Sequence, residues 1–300
     1  RHDPLYYLEK QGVFAVVGTA VMLLVSKFNY QRLRGAGRAL IYVSVIFLIL
    51  VIIPHNPIAV TAKGATRWLK IGVQFQPSEI AKCPLVILYA HWMSINPGSV
   101  RRIEGLIPYG CVLGVIILLL IAEPHLSAMV IVVGMALIML ILGGLNLRLL
   151  GAVVVGGVPL GLLAIFVLGK WDRLMGRLQV WWNPEADARG DGWQTLQSLY
   201  SIGSGGLMGL GLGKSCQKYL YLPEEHNDYI FPILCEELGF VGAVVVILLF
   251  LLLIVRGYYI AMHARDRFGA HLAAGISTPI QLQTFLNTAV VTHFQPAPGL

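Results

Sequence analysis

Long apolar runs carrying few or no charges recur from one end of this chain to the other. A run must reach roughly 20 residues to cross about 30 Å of hydrocarbon as a helix. Runs near that length fall at 11–27, 39–54, 79–95, 106–122, 126–144, 148–168, 230–255 and 270–292. Only 12% of the residues are charged and 57% are hydrophobic, against about 25% charged in a soluble domain. The charges that exist crowd between the runs. The pattern predicts an all-α, polytopic helical membrane protein with about eight transmembrane helices, folded as a single membrane domain over 1–300. The run at 39–54 is short and the one at 79–95 is amphipathic.

Charge also orients the bundle. Lys27, Arg32, Arg34 and Arg38 share one connection; Arg101 and Arg102, Arg148, and then Arg256, Arg265 and Arg267 follow at alternate connections. The positive-inside rule puts these on the cytoplasmic side. The net charge of +7 is then topological, with anionic lipid headgroups as its partners. Neither an RNA-binding nor a helix-turn-helix signature is present, so nucleic acid is not expected as a partner. Cys83, Cys111, Cys216 and Cys235 form no CxxC pair, which argues against structural zinc or a disulfide framework. The chain opens on Arg1-His2-Asp3-Pro4 and stops at Pro298-Gly299-Leu300, and both ends read as those of a fragment.

The opposite, outer side receives a loop at 55–78, a corner at Glu123-Pro124-His125, and the one long hydrophilic segment, 169–229. Loops of that length are functional or disordered. This one carries Trp171, Trp181, Trp182 and Trp193 and a glycine-rich run from Gly203 to Gly213, and is expected to be an ordered outer-face loop with short helices. The glycines do not follow a strand, so no dinucleotide or P-loop site is implied. Lys63, Arg67 and Lys70 lie in the outer loop against the positive-inside rule.

Four constellations are chemically loaded. Gly64 to Trp68 precede Gln76-Pro77-Ser78-Glu79, a helix start with Ser78 as the expected N-cap. Glu79 and Lys82, three apart, share a helix face and can pair; ionisable groups at membrane depth are expensive and mark function, although a capping box with a structural ion pair explains them as well. Glu123-Pro124-His125 is either a simple turn or part of a site. Asn183-Pro184 and Gly192 to Tyr200 lead into the glycine run. Last comes Tyr221 to Phe231, with Glu224, Glu225, His226 and Asp228 clustered where an apolar helix begins, followed by Cys235-Glu236-Glu237-Leu238-Gly239. Asp228 by itself is either a first-turn acid or a catalytic carboxylate.

These segments, in this order and spacing, resemble the shape, elongation, division and sporulation (SEDS) family of FtsW, RodA and SpoVE. The matching stretches are Gly64 to Trp68, Gln76 to Lys82, Asn183-Pro184 with Gly192 to Tyr200, Gly205 to Lys218 and, most specifically, Leu222 to Gly239. The wording around Glu236 to Gly239 is closer to the FtsW and SpoVE branch than to RodA. Family members have about ten membrane helices, so this chain is expected to lack the first and the last. It departs from the family at His125, where an aspartate is usual, and at His293-Phe294-Gln295.

The resemblance implies a peptidoglycan glycosyltransferase of the bacterial inner membrane that takes lipid II as donor and the growing glycan as acceptor, releases undecaprenyl pyrophosphate, and works with a class B penicillin-binding protein. It places the family's essential aspartate at Asp228. An α-linked donor and a β-linked product imply inversion by direct displacement, with Asp228 as general base for the acceptor hydroxyl. A pyrophosphate leaving group needs cations; Arg67, Lys70, Lys82, Lys214 and Lys218 are candidates, with Glu79 and His226 as further binding groups. A divalent cation, Mg or Mn, could assist, though no dedicated ligand cluster is visible. Two other readings stay open: a lipid II flippase using the Glu79–Lys82 pair, and a non-enzymatic division or elongation scaffold.

Overall fold

The computed structural model describes residues 6–53, 56–62, 65–123, 126–167, 169, 171–188, 190, 192–217 and 229–296. Each of the eight expected spans is a helix: α1 (Tyr6–Ser26), α2 (Leu33–Ile52), α3 (Pro77–Ile95), α4 (Ile103–Ala122), α5 (Leu126–Leu142), α6 (Leu147–Val167), α9 (Ile230–Met262) and α10 (Arg267–Val291). Two shorter helices, α7 (Trp171–Trp182) and α8 (Trp193–Ser204), lie in the long segment between α6 and α9, as expected of an ordered loop. Among the described residues, spans within α1, α4, α9 and the 30–52 stretch are long and apolar enough to cross a membrane on length and composition alone.

Several boundaries move outward from the apolar runs. Helix α2 starts at Leu33 and carries Arg34 and Arg38 in its first turns; α9 continues past Arg256 to Met262. Long basic side chains let a helix run on beyond the hydrocarbon, because the charged head reaches water while the stem stays apolar. The basic connections meet at one end. Arg34 donates to Ser94 Oγ at the end of α3 (3.2 Å), Tyr30 donates to Asp266 in the α9–α10 turn, and the Arg101 side chain lies against Gly144 between α5 and α6.

Helix α3 forms the axis of the core. Its Ala81, Leu85, Val86, Leu88, Tyr89, Ala90 and Met93 are buried against Leu48 of α2, Ile116 of α4, Met135 and Met139 of α5 and Phe268 of α10. Close approach is built from small residues, since lipid supplies no hydrophobic drive between helices: a Cβ on Gly275 of α10 would press on Val86 and Met139. Tyr89 adds an interhelical hydrogen bond, donating to the Tyr109 carbonyl at 2.8 Å. The apolar side chains from Leu248 to Leu253 point outward, toward lipid.

The loop expected at 55–78 is a three-stranded antiparallel sheet, β1 (Ala59–Ala62), β2 (Ala65–Ile71) and β3 (Val73–Phe75), in the order β1-β2-β3. Val60 pairs with Trp68 and Lys70 with Gln74. The sheet is held down by Leu69, fully buried, and by Phe75, whose ring meets Phe47 of α2 edge-on at 5.6 Å. A meander this small needs such an anchor, because an isolated hairpin is marginal in water.

Candidate active site at the end opposite the basic connections

The start of α3 corrects one expectation. Gln76 takes the N-cap position and Pro77 the first helical position, where its fixed φ fits and its missing N–H is not needed. Ser78 therefore sits inside the helix rather than capping it, and its Oγ is buried with no hydrogen-bond partner among the described residues. One turn on, Lys82 Nζ is 2.7 Å from Glu79 Oε1. The lysine side chain is 5% exposed and the glutamate 47%, so a buried ammonium is tethered to a carboxylate at the rim.

The meander delivers the next cation. Arg67 lies on β2, half-buried, with Lys70 exposed three residues on. Arg67 acts electrostatically on Glu123, one residue beyond α4. Glu123 is 2% exposed, and neither carboxylate oxygen has a hydrogen-bond partner among the described residues. Burial pushes its pKa up to about 8, and the nearby Arg67 guanidinium only partly opposes that rise. The sequence singled out the Glu123 corner without committing to the residue; its neighbours Pro124 and His125 lie outside the described residues.

The glycine-rich run docks into a break in α9. At Gly239 the helix backbone leaves helical values (φ 68°, ψ −172°), which releases the hydrogen bonds that would cross this turn. The run between Gly205 and Gly211 takes them up: Leu210 N–H donates to the Glu236 carbonyl (2.9 Å), Gly211 N–H to the Glu237 carbonyl (3.0 Å), Phe240 N–H to the Gly206 carbonyl (2.9 Å) and Val241 N–H to the Leu207 carbonyl (3.2 Å). Buried backbone polar groups must find partners, and here two broken segments satisfy each other. The approach leaves no room for side chains, since a Cβ on Gly239 would collide with Gly209 N and one on Gly209 with the Glu237 carbonyl.

The same region ties α7 and α8 to the ends of α9 and α10. Ser198 Oγ donates to the Val291 carbonyl (2.9 Å) and Trp181 Nε1 to the His293 carbonyl (3.2 Å). Glu236, 1% exposed, accepts from Ser201 Oγ (3.3 Å), from Ser215 Oγ and from the Cys216 N–H (2.9 Å). Cys216 is exposed and Cys235 buried, and both are free thiols. Glu236 appeared in the sequence only as part of a motif, and burial, its distinguishing property, is not legible there.

Of the residues expected at the site, the structure joins Glu79 to Lys82 and sets Arg67 against Glu123. Lys70 is exposed on the meander, and Lys214 is exposed on the glycine run beside Gly211. Asp228, His226 and Lys218 lie outside the described residues. Among those described, no three His, Cys, Asp or Glu side chains converge as metal ligands would.

Comparison with known proteins gives a family. The cell cycle protein family FtsW/RodA/SpoVE matches residues 1–300. The probable peptidoglycan glycosyltransferase FtsW of Trichlorobacter lovleyi is 38% identical over 302 residues, covering 100% of this chain and 78% of that protein. Stage V sporulation protein E of Bacillus subtilis is 34% identical, covering 99% of this chain and 81% of that protein. Among solved structures, one from a peptidoglycan synthase complex that coordinates polymerization and crosslinking superposes with a TM-score of 0.79 at 26% identity, over 99% of this chain and 82% of that one. The rod shape determining protein RodA of Thermus thermophilus shares the fold, with a TM-score of 0.66 at 24% identity over 97% of this chain and 77% of that one. With a family match along its whole length and relatives above 30% identity, this chain is a member of the FtsW/RodA/SpoVE family.

Proposed function

We propose that this chain is a peptidoglycan glycosyltransferase that polymerises lipid II into glycan strands at the outer face of the bacterial cytoplasmic membrane, with release of undecaprenyl pyrophosphate. The reading is supported by relatives that carry this activity in their names. The observation that carries it in this chain is the pairing of a buried Lys82 ammonium with a rim carboxylate, at the same end as Arg67, the meander and the docked glycine run. We read residues 1–300 as one membrane domain, with 169–229 as its outer loop.

The reaction is an inverting displacement. The acceptor 4-hydroxyl attacks the anomeric carbon of a sugar α-linked to lipid pyrophosphate. A β-glycosidic C–O bond forms, the bond to the phosphate oxygen breaks, and the electron pair leaves on the pyrophosphate. The hydroxyl proton passes to Asp228, acting as general base. Lys82 and Arg67, with Lys70, Lys214 and Lys218 from the outer segments, supply positive charge where the pyrophosphate develops negative charge; Glu79 holds Lys82, and His226 lies close in sequence to the base. The complex to which the similar solved structure belongs couples polymerization to crosslinking, which supports a class B penicillin-binding protein as partner.

The test is lipid II polymerisation by the purified full-length protein with its partner transpeptidase, comparing wild type with Asp228→Asn. A folded variant that loses activity by about 100- to 10,000-fold fits a general base. Equal polymer from both removes that role from Asp228. Lipid transport without polymer from either would replace the enzyme reading by the flippase.

A further inference from the structure

We propose that the groove between the end of α9 and the start of α10 holds one anionic phospholipid, its phosphodiester against Arg265 and an acyl chain along Leu272 and Ile276. The groove has a volume of about 470 Å³, within the range of pockets that take a specific small ligand. Leu272 and Ile276 of α10, one turn apart, and Ile260 of α9 make its inner part apolar. Arg265 in the turn and Tyr30 just before α2 make its outer end polar. The two parts follow one another along the helix axis, since Ile276 lies about 13 Å from the start of α10. A phospholipid has the same order, a charged head and then an apolar chain.

The charge of the outer end is not answered within the protein. Asp266 is the carboxylate of the α9–α10 turn, and both its oxygens are engaged. Oδ1 accepts from the Tyr30 hydroxyl (2.5 Å) and Oδ2 from the Gly269 N–H (3.1 Å). Among the described residues, no carboxylate forms an ion pair with Arg256, Arg265 or Arg267. A guanidinium left in this state suits a phosphodiester, whose two oxygens take parallel N–H···O bonds. The neighbouring arginines would oppose the second, positive group of a zwitterionic lipid, which selects an anionic one.

The position along α9 fits a lipid rather than a soluble phosphate. The side chains from Leu248 to Leu253 are exposed and apolar. Beyond them Arg256 lies over the Tyr259 ring at 5.2 Å, and that ring stacks on His263 at 4.1 Å. Apolar side chains followed by aromatic and basic ones mark the passage from hydrocarbon to headgroups. Arg265 then falls at headgroup level, on the side that the positive-inside rule makes cytoplasmic, where anionic lipid is attracted to basic segments. Ile260 and Ile276 are each 50% exposed, so the apolar part of the groove opens sideways, where an acyl chain can enter.

The test is native mass spectrometry of the delipidated full-length protein with added phosphatidylglycerol, phosphatidylcholine of the same acyl chains, or glycerol phosphate. Wild type is expected to retain one phosphatidylglycerol about five- to tenfold more tightly than phosphatidylcholine, with no competition from glycerol phosphate. Arg265→Gln should bring phosphatidylglycerol down to the phosphatidylcholine level. Ile276→Asn should weaken both lipids alike. Arg148→Gln removes a cation from the same side of the bundle, outside the groove, and should change neither. Arg265 and Arg148 are both exposed, so these two variants are expected to melt as wild type does. Equal losses in Arg265→Gln and Arg148→Gln overturn the inference, because diffuse surface charge would then be the attraction. Competition by glycerol phosphate overturns it in favour of a soluble phosphate. A preference that survives Arg265→Gln, or binding untouched by Ile276→Asn, overturns the placement. The readout is binding, so it is independent of whether the protein makes polymer.

Discussion

Lys82 and Glu79 form an ion pair at 2.7 Å whose two members differ in burial: the ammonium is buried and the carboxylate is about half exposed. Burying a lysine costs free energy that an exposed partner only partly returns. The charge role proposed for Lys82 therefore predicts that its effects on function and on stability separate. Lys82→Met should leave the melting temperature unchanged or raise it, since an apolar chain of similar length replaces a buried charge and Glu79 is not stranded. The same variant should reduce lipid II polymerisation about 100-fold, the usual effect of deleting one preorganised electrostatic group. A melting temperature that drops sharply would show the pair to be structural.

Gly239 is held by strain on one side and crowding on the other. Its φ and ψ lie in a region essentially reserved for glycine, at a cost of about 1–3 kcal/mol to other residues, and a Cβ there would strike Gly209. Gly239→Ala should therefore destabilise the protein by about 3 kcal/mol or more, read from denaturant or thermal unfolding in detergent. Gly209→Ala should do likewise, its φ being +78°. The double variant should cost less than the two single costs added, because one undocked interface accounts for both losses.

These glycines also mark where the sequence stopped being informative. The spans were legible because a bilayer imposes length and composition on every crossing helix, and α3 and α10, less apolar than the others, still carried enough periodicity. The sheet was missed although Thr66, Trp68 and Lys70 alternate with Arg67, Leu69 and Ile71: a strand of this length in a connecting loop takes its stability from Leu69 and Phe75 packing on the bundle, contacts that are distant in sequence. The Gly203 to Gly213 run was visible, but its partner Gly239 sits in an apolar stretch that looks like uninterrupted helix. Only the backbone exchange between the two explains either. The Glu79–Lys82 pair was readable because it lies within one turn, whereas the approach of Arg67 to Glu123 joins a strand to the end of a helix more than fifty residues on.

Glu123 gives a pH prediction with a definite sign. Its pKa is raised from 4.5 to about 8 in the folded protein, so the folded state keeps a proton that the unfolded chain has already released. The stabilisation from this group is complete below about pH 4.5 and is lost as pH rises through about 8. The melting temperature of wild type should accordingly fall between those values, and that of Glu123→Gln should fall less, because the amide does not titrate. Arg67 works in the opposite direction by favouring the carboxylate. Arg67→Met should thus raise the Glu123 pKa further and extend the decline to higher pH. Tryptophan fluorescence melts in detergent across this range provide the measurement. Parallel curves for wild type and Glu123→Gln would mean that the folded protein does not hold Glu123 protonated above its ordinary range.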